Sequence, residues 1–410
     1  MRDHTTLLGD LGENDSEVLE KLASKGRTWI VGGWIRDGLI EGGQRDLDIA
    51  TDLSPEDVVK IFPNSLTHGA RYGTVVVRIP GSESEWEVTT LRTEAEYSDG
   101  RRPDVVNFGS DIVEDLSRRD FTVNAMAVSY PDGEFIDPFG GLSDLDSKII
   151  RAVGSASERF SEDGLRILRA YRFVAVSGGW EIEDDTKTSL EDNLQKLDSI
   201  SAERIGMEFK KMLQLPGSSR SISIMAEQGA LQKILPGSSP PENFVPTGKL
   251  TVDLAVIFTY GGVPKDEALL LTRKGLKANN SEMESLGLLM GIEPETSLVS
   301  IEEVRRFHAA LKPHQKEDVL DYLEVMGYDR RGYANAVERP ENGGRALVDG
   351  RILAEETLLG PGVRLGRLKD FLHRMQIERG ITDSNEVLAL ISEIDWENGD
   401  PTSWPKMAWP

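Results

Sequence analysis

The stretch Thr28-Trp29-Ile30-Val31-Gly32-Gly33-Trp34-Ile35-Arg36-Asp37, followed closely by Arg45-Asp46-Leu47-Asp48-Ile49-Ala50, decides the fold. β-Branched and aromatic residues at 28–31 predict a short strand that ends at the glycine pair. A helix is expected from Trp34. The alternation at 46–50 predicts a second strand, on which Asp46 and Asp48 share a face while Leu47 turns to the core. Two carboxylates so placed can hold a divalent ion. Mg²⁺ is the ion expected, because it binds through one or two carboxylates plus substrate phosphates. An Asp-x-Asp by itself also suits a turn or a solvated edge. Upstream, Gly32 and Gly33 let backbone amides approach a triphosphate where a helix N-terminus adds positive potential. Arg36 can add a charge-assisted bond to a phosphate oxygen. The plainer reading is a tight strand-to-helix turn with Arg36 on the surface. The Lys-Ser/Thr ending of a P-loop is absent.

Further along, Ser54-Pro55-Glu56-Asp57 opens a helix, with Ser54 as N-cap and proline in the first turn. Residues 73–79 and 85–91 predict two more strands around the turn Pro80-Gly81-Ser82. Glu87, on the second of these, is the candidate third acid beside Asp46 and Asp48. The result is a small mixed α/β sheet. From about Ser155 the pattern becomes helices joined by short polar loops. Joints are expected at Leu215-Pro216-Gly217-Ser218-Ser219 and at 235–241, and the chain from about Asn398 reads as a frayed tail.

The 410 residues imply two to four packed units, and 39% hydrophobic with 29% charged residues is a globular balance. No cysteine is present, which excludes disulfides, thiolate metal sites and a cysteine nucleophile. No apolar run approaches the ~18 residues of a membrane span, and Met1-Arg2-Asp3-His4 lacks a secretory apolar stretch. A cytoplasmic protein without a membrane partner is expected. The net charge of −23 opposes generic attraction to nucleic acid. Residues 1–150 hold 15 Lys+Arg against 29 Asp+Glu, whereas residues 301–380 hold 14 of each sign. A solubility or high-salt surface explains the excess more simply than a functional acidic face.

Gly32-Gly33-x-x-Arg36-Asp37, Arg45-Asp46-Leu47-Asp48 and Glu87-Val88-Thr89-Thr90-Leu91-Arg92 together resemble the polymerase-β nucleotidyltransferase superfamily. More narrowly, the chain resembles the bacterial-type (class II) tRNA nucleotidyltransferase and poly(A) polymerase family. Arg118-Arg119-Asp120-Phe121-Thr122-Val123-Asn124-Ala125 and Asp137-Pro138-Phe139-Gly140-Gly141 match that family's segments. Read without the family, Arg118 and Arg119 are two cations entering an apolar strand. The resemblance implies that Arg119 contacts the nucleotide and that Asp120 and Asn124 shape its ribose site.

Glu162-Asp163-Gly164-Leu165-Arg166-Ile167-Leu168-Arg169-Ala170-Tyr171-Arg172-Phe173 predicts a helix beginning near Ser161. On it, Asp163 and Arg166 are three apart and close together. A carboxylate accepts hydrogen bonds and a guanidinium donates them. Cytosine and adenine both present an exocyclic amine beside a ring-nitrogen acceptor, so such a pair complements both. Uracil and guanine present a carbonyl beside an N–H and leave both groups mismatched, at ~1–3 kcal/mol per buried group. The alternative is an acid offsetting the helix dipole, with Arg166 as its i+3 partner. The segment matches the family's E-D-x-x-R-x-x-R-x-x-R-F pattern, which implies base reading by Asp163 and Arg166, with Arg169 and Arg172 near the nucleotide or structuring the neck. A period of three drifts around a helix, so the three arginines cannot all face one base.

Weaker matches continue. Ser201-Ala202-Glu203-Arg204-Ile205 resembles the neck helix, where Glu203 and Arg204 are expected to brace structure. Residues 348–353 and 360–366 resemble the tail. The polar segment 93–102, containing Gly100, resembles the mobile loop with which family members switch from C to A, which disfavours CC-only addition. The last thirty residues hold six acids and Lys406 as the one base, unlike the basic extensions of poly(A) polymerases. His4, His68, His308, His314 and His373 include no His-Asp pair, so hydrolase activity is not expected.

The expectation is therefore an α+β chain. It comprises a polymerase-β-like nucleotidyltransferase head with a small mixed sheet (1–150), an all-helical neck (151–216), body (217–300) and tail (301–410). The resemblance implies Mg²⁺-dependent addition of CMP and AMP, from CTP and ATP, to the 3′ end of tRNA. Asp46, Asp48 and Glu87 are the catalytic candidates. Within the family, A-only, CC-only and poly(A) addition are the alternatives. From other classes come a catalytically silent RNA-binding relative and a nucleotidyltransferase acting on a protein or small molecule.

Overall fold

The computed structural model describes residues 2–40, 46–92, 108–176, 179–292, 300–337 and 345–406. Arg45 and the segment 93–102 lie outside the described residues. The chain divides into two compact units: Met1–Pro236 with Asn243–Pro246 and Lys274–Lys277, and Gly237–Glu242 with Thr247–Arg273 and Ala278–Pro410.

The first unit begins with a six-stranded mixed sheet in the order β3-β4-β2-β1-β5-β6. β1 (Thr28–Val31) is buried throughout and lies centrally, antiparallel to both β2 (Asp48–Thr51) and β5 (Ala127–Tyr130). β2 runs parallel to β4 (Trp86–Thr90), which pairs antiparallel with β3 (Thr74–Val77); β6 is Phe135–Ile136. Trp29, Val31, Ala50, Leu91, Leu116 and Ala127 form one buried cluster. The helix Pro55–Ile61 is capped as the sequence predicts, with the Asp57 amide donating to Ser54 Oγ at 3.2 Å. The α+β architecture read from the sequence is the one observed.

Four local expectations change. β2 starts at Asp48, so Asp46 and Leu47 approach the strand rather than belong to it. Arg118 and Arg119 do not enter a strand. They follow the helix Ile112–Ser117 and precede a 3-10 turn at Thr122–Asn124. Asp115 lies 3.8 Å from Arg118 and 3.7 Å from Arg119, one helical turn back. The helix expected from Ser161 is two helices, Ala156–Glu162 and Leu165–Val176, with Asp163 extended between them. A Cβ on Gly164 would lie 2.7 Å from the Lys196 carbonyl oxygen, so another backbone segment crosses at the break. Finally, the tail is tied down rather than frayed as far as residue 406. Trp404 is buried with Leu368 and Leu372 of the helix Val363–Arg379. Arg364 donates to the carbonyls of Trp396 (2.7 Å) and Gly399 (2.9 Å), and Arg367 to that of Pro401 at 3.1 Å.

The remainder of the first unit is mostly helical, with Leu165–Val176 packed against Ala202–Leu213, but the expected all-helical neck includes a strand, Glu181–Ile182, paired parallel with Ile149–Ile150. The second unit is helical as well, centred on the almost wholly buried helix Leu250–Tyr260. Among the described residues no helix is long and apolar enough to cross a membrane.

Candidate active site

A cleft of about 1200 Å³ opens in the first unit where the N-terminal ends of β2 and β4 face the helix Leu165–Val176. All the residues singled out from the sequence line it: Gly32, Gly33, Arg36, Asp46, Asp48, Glu87, Arg119, Asp120, Asn124, Asp163, Arg166, Arg169 and Arg172.

One end is acidic. Parallel pairing sets Asp48 directly opposite Glu87, and Asp46 lies two residues before Asp48 on the approach to the strand. Burial pushes the Asp48 carboxyl above the usual aspartate range. Arg119 and Arg36 pull it down, while Glu87 and Asp46 push it further up. Gly32 sits against this carboxylate at φ +74, and a Cβ there would stand 3.0 Å from Asp48 Oδ2 and 3.1 Å from Arg119. Glycine is thus required to let the acid and the arginine close on the strand-to-helix turn. Among the described residues no three carboxylate or imidazole groups are spaced to cage a metal ion by themselves. The donor set instead fits an oxygen-liganded divalent ion held by Asp46 and Asp48, with further oxygens from a phosphate.

The other end is cationic and crosslinked. Arg36 does not lie on the surface. Its side chain is 11% exposed and donates to Asn124 Oδ1 at 2.6 Å and to Asp37 at 2.7 Å. Asn124 donates to Asp120 at 3.1 Å, and Arg169 bonds the same carboxylate at 2.6 Å. Burial alone would raise the Asp120 carboxyl, but Arg169, Asn124 and Arg166 outweigh it and hold it at about 2. Arg172 pairs with Glu208 at 2.6 Å. Arg36, Arg169 and Arg172 surround one ring, Phe173, at 4.9, 5.5 and 4.7 Å from its centroid.

Asp163 and Arg166 share the cleft, and the Arg166 amide donates to the Asp163 carbonyl at 3.0 Å, but their side chains bond to different partners. Asp163 accepts the Leu165 amide at 3.0 Å and pairs with Arg204 at 2.6 Å. Arg166 pairs with Glu162 at 2.6 Å and donates to the Arg159 and Arg118 carbonyls at 3.0 and 2.9 Å. The two are held independently because Gly164 breaks the helix expected to carry both.

Sequence reasoning missed Arg204 and Lys211 as cleft residues. Arg204, Glu208 and Lys211 stand at i, i+4 and i+7 on the helix Ala202–Leu213, one polar stripe on an otherwise amphipathic helix. That spacing was the available signal. Glu85, two residues before Glu87, also lines the cleft and pairs with Arg78.

Two family models match the chain: "Poly A polymerase head domain" over residues 28–151, and "Probable RNA and SrmB- binding site of polymerase A" over 179–240. A CCA-adding enzyme of Lactococcus lactis subsp. cremoris is 33% identical over 392 residues, 92% of this chain and 94% of that protein. A CCA-adding enzyme of a Geobacillus species is 44% identical over 213 residues, 52% of each chain. The crystal structure of Bacillus stearothermophilus CCA-adding enzyme in complex with CTP matches with a TM-score of 0.71 and 27% identity, covering 96% of this chain and 98% of that one.

Proposed function

The chain belongs to the CCA-adding enzyme family, and from that premise we propose that it adds CMP and AMP, from CTP and ATP, to the 3′ end of tRNA without a nucleic-acid template. The observation that carries this reading is the register of Asp48 against Glu87 at one end of a cleft whose other wall is cationic. Asp46 and Asp48 hold Mg²⁺. When bound, Mg²⁺ lowers the pKa of the attacking hydroxyl and neutralises charge on the leaving oxygens.

Glu87 orients the RNA 3′-hydroxyl and takes up its proton. The 3′ oxygen bonds to the α-phosphorus of the nucleotide as the bond to pyrophosphate breaks. The Gly32 and Gly33 amides, Arg36 and Arg119 hold triphosphate and sugar, with Asp120 and Asn124 shaping the ribose site. Asp163 accepts from the exocyclic amine of C or A, and Arg166 donates to the ring nitrogen. Arg169 and Arg172 fix that wall through Asp120 and Glu208. Residues 1–150 serve as catalytic head, 151–216 as base-reading neck, 217–300 as body and 301–410 as tail. The tail grips the tRNA by shape and backbone, as double-helical RNA is usually held. Such a role belongs in the cytoplasm.

The test supplies tRNAs lacking one, two or all three nucleotides of the CCA end with each labelled NTP in turn. The expected result is addition of C, C and then A, with stopping. A alone on CC-ended tRNA, C addition that stops before A, or long A tracts assigns the chain to a different specificity. No addition to any acceptor overturns the reading.

A further inference from the structure

Resting on that reading, we propose that the outer face of β3 and β4 is a seat for the single-stranded 3′ end of the RNA acceptor, leading away from Glu87 to an arginine–aromatic cluster at Arg71, Tyr72, Arg92 and Phe108. Side chains on a strand alternate between faces, so residues two apart continue one track at roughly 6.6 Å per step. On β4, Glu87 and Thr89 share the solvent-facing side, while Trp86, Val88 and Thr90 are buried. On β3, Thr74 and Val76 lie beside them, with Val76 opposite Glu87 and Thr74 opposite Thr89. The track is polar beyond the acid: Thr74 and Thr89 hydroxyls meet at 3.2 Å, and Arg92 donates to Thr74 Oγ1 at 3.2 Å.

At its outer end, Arg92 bridges Phe108, and the Gly109 amide donates to the Leu91 carbonyl at 2.9 Å. Gly73, at φ +87, lets this pair close over the start of β3, since a Cβ there would stand 3.0 Å from the Phe108 ring and 3.3 Å from Arg92 Nε. Phe108 is nonetheless 46% exposed as a residue. Two residues before Gly73, Arg71 is exposed and lies 4.6 Å from the Tyr72 ring centroid.

Charge says what fits here. The chain carries 70 acids in 410 residues, yet residues 58–82 contain none, and they include Lys60, His68, Arg71 and Arg78. Lys60 pairs with Asp57 and Arg78 with Glu85, which leaves the exposed Arg71 as the cation of this segment suited to a backbone phosphate. An exposed aromatic face among arginines is how single-stranded nucleic acid is held without base-specific hydrogen bonds. The acceptor end must change as nucleotides are added, so stacking of this sequence-tolerant kind suits it. Phe108 offers a face to a base, and Arg71, stacked on Tyr72, offers charge to a phosphate, with Arg92 ordered by Thr74 beside them. The terminal hydroxyl then falls at Glu87.

The test uses the full chain. Binding of a short single-stranded RNA ending in CC is measured by fluorescence anisotropy, and A addition to CC-ended tRNA by steady-state kinetics. Phe108→Ala is expected to weaken oligonucleotide binding and raise KM for tRNA by about tenfold, with KM for ATP and kcat held. Phe108→Tyr restores both. Arg71→Ala is expected to reduce the slope of log affinity against log salt by about 0.7, the share of one single-strand phosphate contact. Unchanged oligonucleotide affinity and tRNA KM in both alanine variants, in protein that still extends tRNA, overturns the proposal. Failure of the parent to extend any tRNA sinks the functional reading instead, and the binding measurement still decides this one.

Discussion

The two ends of the cleft treat charge in opposite ways. At the Asp163–Arg166 end, four charged groups each have a protein partner at short range. Asp163 has Arg204, Arg166 has Glu162, Arg169 has Asp120 and Arg172 has Glu208. At the Asp48 end, burial raises the pKa of a half-buried carboxylate, and Glu87 and Asp46 add to the rise while Arg119 and Arg36 oppose it. A crosslinked wall is suited to recognition, because its paired groups lose little freedom when a base arrives. A wall with excess negative charge is suited to receiving a cation. The difference teaches that preorganisation and deliberate electrostatic deficit can stand on either side of one substrate.

The largest effect should come from removing the deficit. Asp48→Asn is expected to cut the rate of nucleotide addition by about a thousandfold or more, the scale on which charge stabilisation of the transition state operates. The same change should stabilise the fold at neutral pH. Asp48 has a raised folded pKa, so the folded state binds more protons than the unfolded one. Its ionisation costs stability as pH rises from the ordinary aspartate range upward. Thermal melts should therefore place Asp48→Asn above the parent without Mg²⁺. Added Mg²⁺ should raise the melting temperature of the parent and leave the variant unmoved. A variant that is inactive and also less stable would mean that the acid braces the fold, and the contrast between the two ends would dissolve.

Asp120 carries the opposite sign. Arg169 and Asn124 hold its folded pKa at about 2, below the unfolded value, so its contribution is complete above the ordinary aspartate range and is lost as pH falls through about 2. Asp120→Asn breaks a buried pair. It should cost toward the lower end of about 3–5 kcal/mol, since Arg169 keeps 32% side-chain exposure. Urea midpoints at pH 6 and pH 3 check it: the gap between parent and variant should narrow at the lower pH. A gap independent of pH would assign the loss to shape rather than charge.

The sequence made the acidic end legible and the cationic end only partly so. Asp46, Asp48 and Glu87 sit on or beside short strands, where residue spacing translates directly into direction, and all three reach the cleft. The same holds for the Gly32-Gly33 turn, where the structure adds a second reason for glycine in the close approach of Asp48 and Arg119. Base reading by Asp163 and Arg166 follows from the family pattern, and the continuous helix expected to carry both is interrupted. Asp163 and Arg166 still line one cleft, but Gly164 and the Lys196 carbonyl beside it set their directions, and a contact 32 residues distant leaves no mark on local periodicity. The neck-helix resemblance makes Arg204 a brace. It is one, to Asp163, and it also lines the cleft. The buried Trp404 shows the same limit: a polar, proline-containing C-terminus reads as frayed until the Arg364 and Arg367 guanidiniums on a distant helix supply partners for its carbonyls.

The smallest expected effect tests whether the crosslinks at the reading end matter for selection or only for stability. Arg204→Lys keeps the positive charge near Asp163 but replaces a planar fork with a flexible point charge. Asp163 would keep its bond from the Leu165 amide and lose the partner that fixes its second oxygen. The carboxylate should then sample orientations that tolerate a carbonyl in place of an amine. Correct addition of C should continue at a rate within about twofold of the parent, while UTP use rises by about three- to tenfold, a loss of roughly 1 kcal/mol of discrimination. Competition between labelled CTP and UTP on a tRNA lacking its CCA end measures this directly. If selectivity holds while stability falls, Arg204 only braces the neck, and base reading depends on Asp163 and Arg166 without help from the neighbouring helix.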